Sequence, residues 1–149
     1  MDIKEIKLRR FKKGDSLICS KIIYDCADTA KKLNKKEREY LKKIYTPEKI
    51  IKLSKKSDFF VIEKNHKVIG TIRLEKGKIA TFYIKPKWQK KGIGTLAINF
   101  IIKKAKEKKL KKVYLSSLLQ SVGFYEKQGF KKIKPLKKSI RSYKMKRDI

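Results

Sequence analysis

"WQKKGIGTLAINFIIKKAKEKKL", Trp88 to Leu110, changes character between its two glycines. Ahead of Gly92 it is polar and basic, while Ile93, Ala97, Phe100, Ile101 and Ala105 recur at the spacing of a buried helical stripe. Gly92 and Gly94 can take a positive φ and let another atom come close to the main chain. Successive free N–H groups at the mouth of a helix form a nest whose partial charge adds to the helix dipole, which suits a phosphate or pyrophosphate. Lys90 and Lys91 add full charges. The stretch has neither the whole G-x-G-x-x-G of a dinucleotide site nor the G-K-[ST] of a P-loop. Nothing in it holds a metal or a transferable γ-phosphate, so the anion it suits is an anchor rather than a reactant. On the loop alone, an ordinary two-glycine turn ahead of a core helix is the simpler reading.

Upstream, "DFFVIEKNHKVIGTIRLEKGKIATFYIKP" holds three apolar, β-branched and aromatic runs separated at Asn65-His66 and around Gly77, the pattern of an antiparallel meander. Before it, "IKEIKLRRF" reads as a first strand, and "SLICSKIIYDCADTAKKL" as an amphipathic helix capped by Asp15 or Ser16. Asn34 with Glu37 resembles a capping box, and Thr46-Pro47 launches a third helix. Downstream, "KKVYLSSLL" is a strand and "SVGFYEKQ" a short helix ended by Gly129. "FKKIKPL" and "IRSYKMKRD" are two last strands. The order fits an α+β domain with one mixed sheet, and the helix between the fourth and fifth strands is a crossover that makes those two parallel. A length of 149 residues predicts one domain spanning 1–149.

The formal charge of +30 and pI near 10.2 attract nucleic acid, anionic membrane or phosphorylated small molecules. Of the 44 basic residues only Arg9, Arg10, Arg38, Arg73, Arg141 and Arg147 are Arg, and the lysines are spread along the whole chain. That is compositional bias more readily than a dedicated RNA surface. Cys19 and Cys26 would lie on one helix face about 10 Å apart, too far for a disulfide, and read as small core residues of a reducing compartment. The start "MDIKEIKLRRF" has no apolar h-region, and no run approaches the ~18 apolar residues of a membrane span. A cytoplasmic protein without membrane contact is the expectation. No residue pattern specifies a metal site or an oligomeric state.

"WQKKGIG" resembles the Q/R-x-x-G-x-G/A signature of the GCN5-related N-acetyltransferases (GNAT), and "FYEKQGF", Phe124 to Phe130, resembles their F-Y-E-K-x-G-F helix. The element order is theirs as well. The resemblance implies the acyl-CoA N-acyltransferase fold: a central, mostly antiparallel sheet of about seven strands, about four helices, and parallel fourth and fifth strands that splay apart. It implies acetyl-CoA as cofactor, its pyrophosphate on the loop Gln89, Lys90, Lys91, Gly92, Ile93, Gly94 and Thr95. It further implies that the pantetheine arm runs along the main chain of Phe82, Tyr83 and Ile84 beside a bulge, with Leu115, Ser116 and Ser117 on its other side.

The same resemblance puts Tyr125 at the general acid. A phenol with an ordinary pKa of ~10 is protonated at neutral pH and can donate to a departing thiolate. The alternative is a core aromatic of a short helix. No base is evident: the fourth strand has no carboxylate, Glu63 and Glu75 sit near turns, and His66, the lone histidine, lies in one. Where relatives often carry Asn and Ala, this chain has Leu118 and Ser121; Leu118 offers no amide, and Ser121 is placed to cap the short helix. The acceptor, a small-molecule or peptide amine, would be set by the first helices, Leu17 to Lys56, and the last hairpin, Pro135 to Tyr143. Lys density there argues against a cationic acceptor. A nucleic-acid-binding module with this fold and no catalysis is the alternative from another class. It lacks RNP aromatics, a KH G-x-x-G and zinc ligands.

Overall fold

The run "FFVI" is buried on both of its faces. The computed structural model describes residues 5–149, and in it β2 (Asp58–Lys64) sends Phe59 and Val61 to one side of a sheet and Phe60 and Ile62 to the other. Period-two alternation with apolar residues in both phases is what a strand between two helical layers requires. β1 (Ile6–Arg10), β3 (Lys67–Glu75) and β4 (Lys78–Ile84) complete an antiparallel half with β2. β5 (Lys112–Leu118), β7 (Arg141–Asp148) and β6 (Lys131–Lys137) complete the other, in the order β1-β2-β3-β4-β5-β7-β6. β4 and β5 are the parallel pair, as the crossover demands. The expected first strand starts at Ile3, and its residues 3–4 lie outside the described residues.

Three helices cover one face: α1 (Ser16–Thr29), α2 (Lys35–Ile44) and α3 (Pro47–Lys55). Cys19, Ile23, Leu41 and Ile50 pack there on Phe59 and Val61. α4 (Ile93–Glu107) and the six-residue α5 (Val122–Lys127) cover the other, with Ile93, Ala97, Ile98, Ile101 and Ala105 against Phe60, Ile62 and Ile72. The described residues thus form five α-helices, where about four were expected.

Two features of α1 differ from the sequence reading. Apolar spacing carries the expected helix to Leu33, but α1 ends at Thr29, and Leu33 reaches the same core from the turn. The Arg38 guanidinium, from α2, donates to the carbonyls of Ala27 (3.2 Å) and Ala30 (3.1 Å) and so takes up the open end of α1. Asp15 makes no side-chain cap. Its carboxylate accepts from the Lys12 amide (2.7 Å) and from Arg9 (2.9 and 3.0 Å), and Arg9 also donates to Glu63 at 2.7 Å. One guanidinium therefore fastens β1, the following turn and β2, and Glu63 is a structural partner rather than a solvated turn carboxylate. The Asn34–Glu37 capping box and the Thr46 cap with Pro47 at the first helical position form as the sequence predicts.

Candidate active site

β3 and β4 fall out of register by one residue. Arg73 faces Ala80 but Thr71 faces Tyr83, so β4 carries an extra residue, and Thr81 sits in the left-handed region with φ of 50°. A β-branched residue there is strained and must be held by its surroundings. Arg73 Nε donates to Thr81 Oγ1 (2.7 Å), Thr81 Oγ1 donates to the Tyr45 hydroxyl (3.3 Å), and Thr71 Oγ1 donates to the Thr81 carbonyl (2.7 Å). The bulge bends β4 away from β5. The two strands share a single paired position, Lys78 with Tyr114, and then diverge. This opens a wedge beside Phe82, Tyr83 and Ile84.

At one end of the wedge lies the glycine loop. Lys90 and Gly92 are both left-handed, with φ of 59° and 87°, and α4 starts at Ile93. Alternating left- and right-handed residues turn successive amides to one side. Among the described residues, no protein acceptor takes the amides of Lys91, Gly92, Ile93, Gly94 or Thr95; the first helical bond of α4 is Leu96 N–H to Gly92 O. The two glycines answer different needs. A Cβ on Gly92 would meet nothing within 4 Å, so conformation alone requires it, whereas one on Gly94 would stand 3.0 Å from Cζ of Phe124. Gly92→Asn, which tolerates left-handed backbone, is expected to keep stability that Gly92→Val loses by about 1 kcal/mol. Gly94→Ala is expected to cost about 1–2 kcal/mol by crowding the Phe124 ring. Urea unfolding of the three variants checks both.

Two cavities meet across the wedge. The larger, about 710 Å³, runs from Gln89, Lys90, Gly92, Gly94 and Thr95 past the end of α1 to Tyr125. The smaller, about 360 Å³, lies on the far side between α2, β4, β5 and the β6–β7 hairpin. Leu41, Phe82, Tyr83, Leu118, Ser121 and Tyr125 line both. Tyr125 is 8 % exposed, its ring packed edge-on to Phe124 and Phe130 (centroids 5.2 and 5.8 Å). Its hydroxyl bonds to no other described residue, yet no fully buried side-chain oxygen lacks a partner, so the hydroxyl opens into the junction. Burial pushes the phenol's pKa well above its ordinary value, which keeps it protonated at any physiological pH. No carboxylate lines either cavity. Among the described residues no His, Cys, Asp and Glu cluster suits a metal.

The structure brings most of the sequence-predicted residues to this cleft and redistributes the rest. Ile93 has its side chain wholly in the core, so only its amide can serve. The Gln89 side chain donates to the Ile84 carbonyl at 2.8 Å and ties the loop to the end of β4. That carbonyl is therefore already engaged, a role for Gln89 that the loop pattern did not suggest. Leu115 and Ser116 line the smaller cavity instead of the larger, and Ser117 is buried, donating to the Leu118 carbonyl. Leu118, Gln120 and Ser121 take their place along the larger one, so Gln120 offers the amide that Leu118 lacks. Ser121 makes no side-chain cap to α5. Cys26, read as a core residue, is at the cleft wall: its thiol donates to the Ile84 carbonyl (3.2 Å), and burial pushes its pKa up to about 12. Both cysteines are free. Glu75 pairs with Arg73, and His66 is an exposed left-handed turn residue. No helix among the described residues is long and apolar enough to cross a membrane.

The architecture recurs in solved structures. A GCN5-related N-acetyltransferase from Rhodopseudomonas palustris superposes with a TM-score of 0.92 at 15% identity, covering 100% of this chain and 99% of that one. The PaiA N-acetyltransferase of Thermoplasma acidophilum, in complex with coenzyme A, gives 0.83 at 21% identity over 97% and 99%. A spermidine N-acetyltransferase SpeG chimera from Vibrio cholerae and hSSAT gives 0.69 at 19% over 97% and 95%. At these identities the likeness shows the fold. No curated protein sequence matches. The family model for the acetyltransferase (GNAT) domain matches residues 26–148, which include the bulge, the glycine loop and Tyr125, and the chain belongs to that family of N-acetyltransferases.

Proposed function

We propose that residues 1–149 form a single cytoplasmic domain that transfers an acetyl group from acetyl-CoA directly to a primary amine. The observation that carries this reading is the row of amides from Lys91 to Thr95, free of protein acceptors at one end of a cleft whose other end is the open hydroxyl of Tyr125. Free amides at a helix mouth beside Lys90 and Lys91 fit a diphosphate, and a wedge walled by unpaired strand edges fits an amide-bearing arm. When bound, acetyl-CoA supplies a thioester carbonyl for an amine to attack.

The chain's own residues do the rest. Phe82 and Tyr83 offer main-chain groups along the wedge, and Gln89 holds the loop against Ile84. Tyr125 keeps a proton at Oη, available to a leaving sulfur anion. Cys26, its thiol kept protonated by burial, is no competing nucleophile. The reduced pair Cys19 and Cys26 supports a cytoplasmic setting. The spermidine named for one neighbour is disfavoured as acceptor here, because neither cavity presents a carboxylate to a polycation.

CoA titration during thermal unfolding tests the reading. At about 100 times the dissociation constant the native state should gain about 2.7 kcal/mol. No shift at millimolar CoA removes the proposal.

A further inference from the structure

The smaller cavity has a chemistry that the catalytic cleft does not need. It is lined by Lys78, where β4 pairs with β5 before the two part, and by Lys138 and Ser139 of the β6–β7 hairpin. Tyr40 and Tyr45 also line it, and Ser116 adds a hydroxyl. Among the described residues neither lysine forms an ion pair. The nearby carboxylate, Glu75, is held by Arg73. Resting on the transferase reading above, we infer that this cavity receives the acceptor and selects a small amine that also carries an anionic group, carboxylate or phosphate, seated between Lys78 and Lys138.

Three considerations support this. A half-buried ammonium without a counterion is costly, and an incoming anion relieves that cost. The cost is visible at Lys78: burial, then the charges of Arg73 and Lys138, lower its pKa. The two lysines neutralise the acceptor's anionic end, so that end no longer favours an ammonium, and the nitrogen can give up its proton to solvent. Such an acceptor is compatible with a cleft that no carboxylate lines. Finally, a volume of about 360 Å³ is near the lower end for small-ligand pockets and fits a compact molecule with both groups a few bonds apart.

The test is calorimetric titration of the CoA-loaded protein with phosphoethanolamine, ethanolamine and spermidine at low ionic strength. γ-Aminobutyrate against butylamine separates carboxylate from phosphate recognition. At least one anionic amine should bind about tenfold or more tightly than its uncharged-tail counterpart, with spermidine no better than ethanolamine. Lys78→Met and Lys138→Met should each shrink that preference, and Lys78→Arg should keep it. Lys138 lies on an exposed hairpin, so its variant reports even if Lys78→Met fails to fold. Equal affinity within both pairs, tightest binding of spermidine, no heat from either anionic amine, or a preference untouched in Lys138→Met and Lys78→Met overturns the inference. Failure of CoA itself to bind is a different result: it removes the transferase reading, and this inference with it.

Discussion

Tyr125→Phe is expected to lower kcat on the order of 10²–10⁴-fold, the usual span for a positioned general acid, while CoA affinity changes less than about twofold. The two readouts separate because the ring and the hydroxyl do different things. The ring fills the core against Phe82, Phe124 and Phe130, and Phe preserves that packing. The hydroxyl has no partner among the described residues and faces the junction of the cavities, so its removal orphans nothing and costs little stability. Steady-state kinetics with a thiol reagent, paired with a CoA titration, makes the measurement. Equal turnover would leave Tyr125 a core aromatic. Because burial drives the phenol's pKa upward, Tyr125 stays protonated as pH rises, and an alkaline loss of rate below pH ~10 should not come from this residue.

The second large effect is structural. Glu37→Ala is expected to destabilise by about 2 kcal/mol, a fall in Tm of about 6 °C. Glu37 is 3 % exposed and accepts from the Asn34 amide (3.0 Å), the Arg141 amide (2.8 Å) and the Arg141 guanidinium (2.9 and 3.1 Å). It thereby clasps the start of α2 to the β6–β7 hairpin, the two walls of the smaller cavity. The hydrogen bonds from Arg141, acting before any cost of burial, hold its pKa down to about 2, against an ordinary 4.5. A carboxylate with a depressed folded pKa stabilises fully above its unfolded pKa, so the clasp is intact at neutral pH. Its contribution declines below about pH 4.5 and is gone as pH falls through 2. Glu37→Gln should flatten that part of the acid unfolding profile, and a variant as acid-sensitive as the parent would refute the assignment.

The sequence carried the fold because its signals were local. Asn34 with Glu37, Thr46 with Pro47, the switch to period two at Asp58 and Gly77 between hairpin strands each act over a few residues, and each formed. Where reading failed, a distant partner decided. α1 stops at Thr29 because Arg38 of another helix takes its carbonyls, and Asp15 leaves its capping post because Arg9 offers a stronger bond. In the site, the left-handed turn at Gly92 was legible because backbone freedom is written in residue type, whereas Gly94, expected to share that freedom, is helical and is small because the Phe124 ring lies against it. The lining of the cleft was not: Leu115 to Ser117 point elsewhere because the β4 bulge, pinned by Arg73 and Tyr45, sets how the wedge opens. Lys78 and Lys138, sixty residues apart, looked like any other members of a basic chain until the hairpin brought them to one pocket.

β7 lies between β5 and β6, although it follows both in sequence. Among the described residues β6 pairs with β7 alone, β7 is the neighbour of β5 on the side away from β4, and β7 brings Arg141 to Glu37. β6 therefore enters the sheet only through β7, and the half of the sheet beyond β5 closes as one unit. The edge that remains open is β6, whose Lys131, Lys132, Lys134 and Lys137 repel the strands of other molecules.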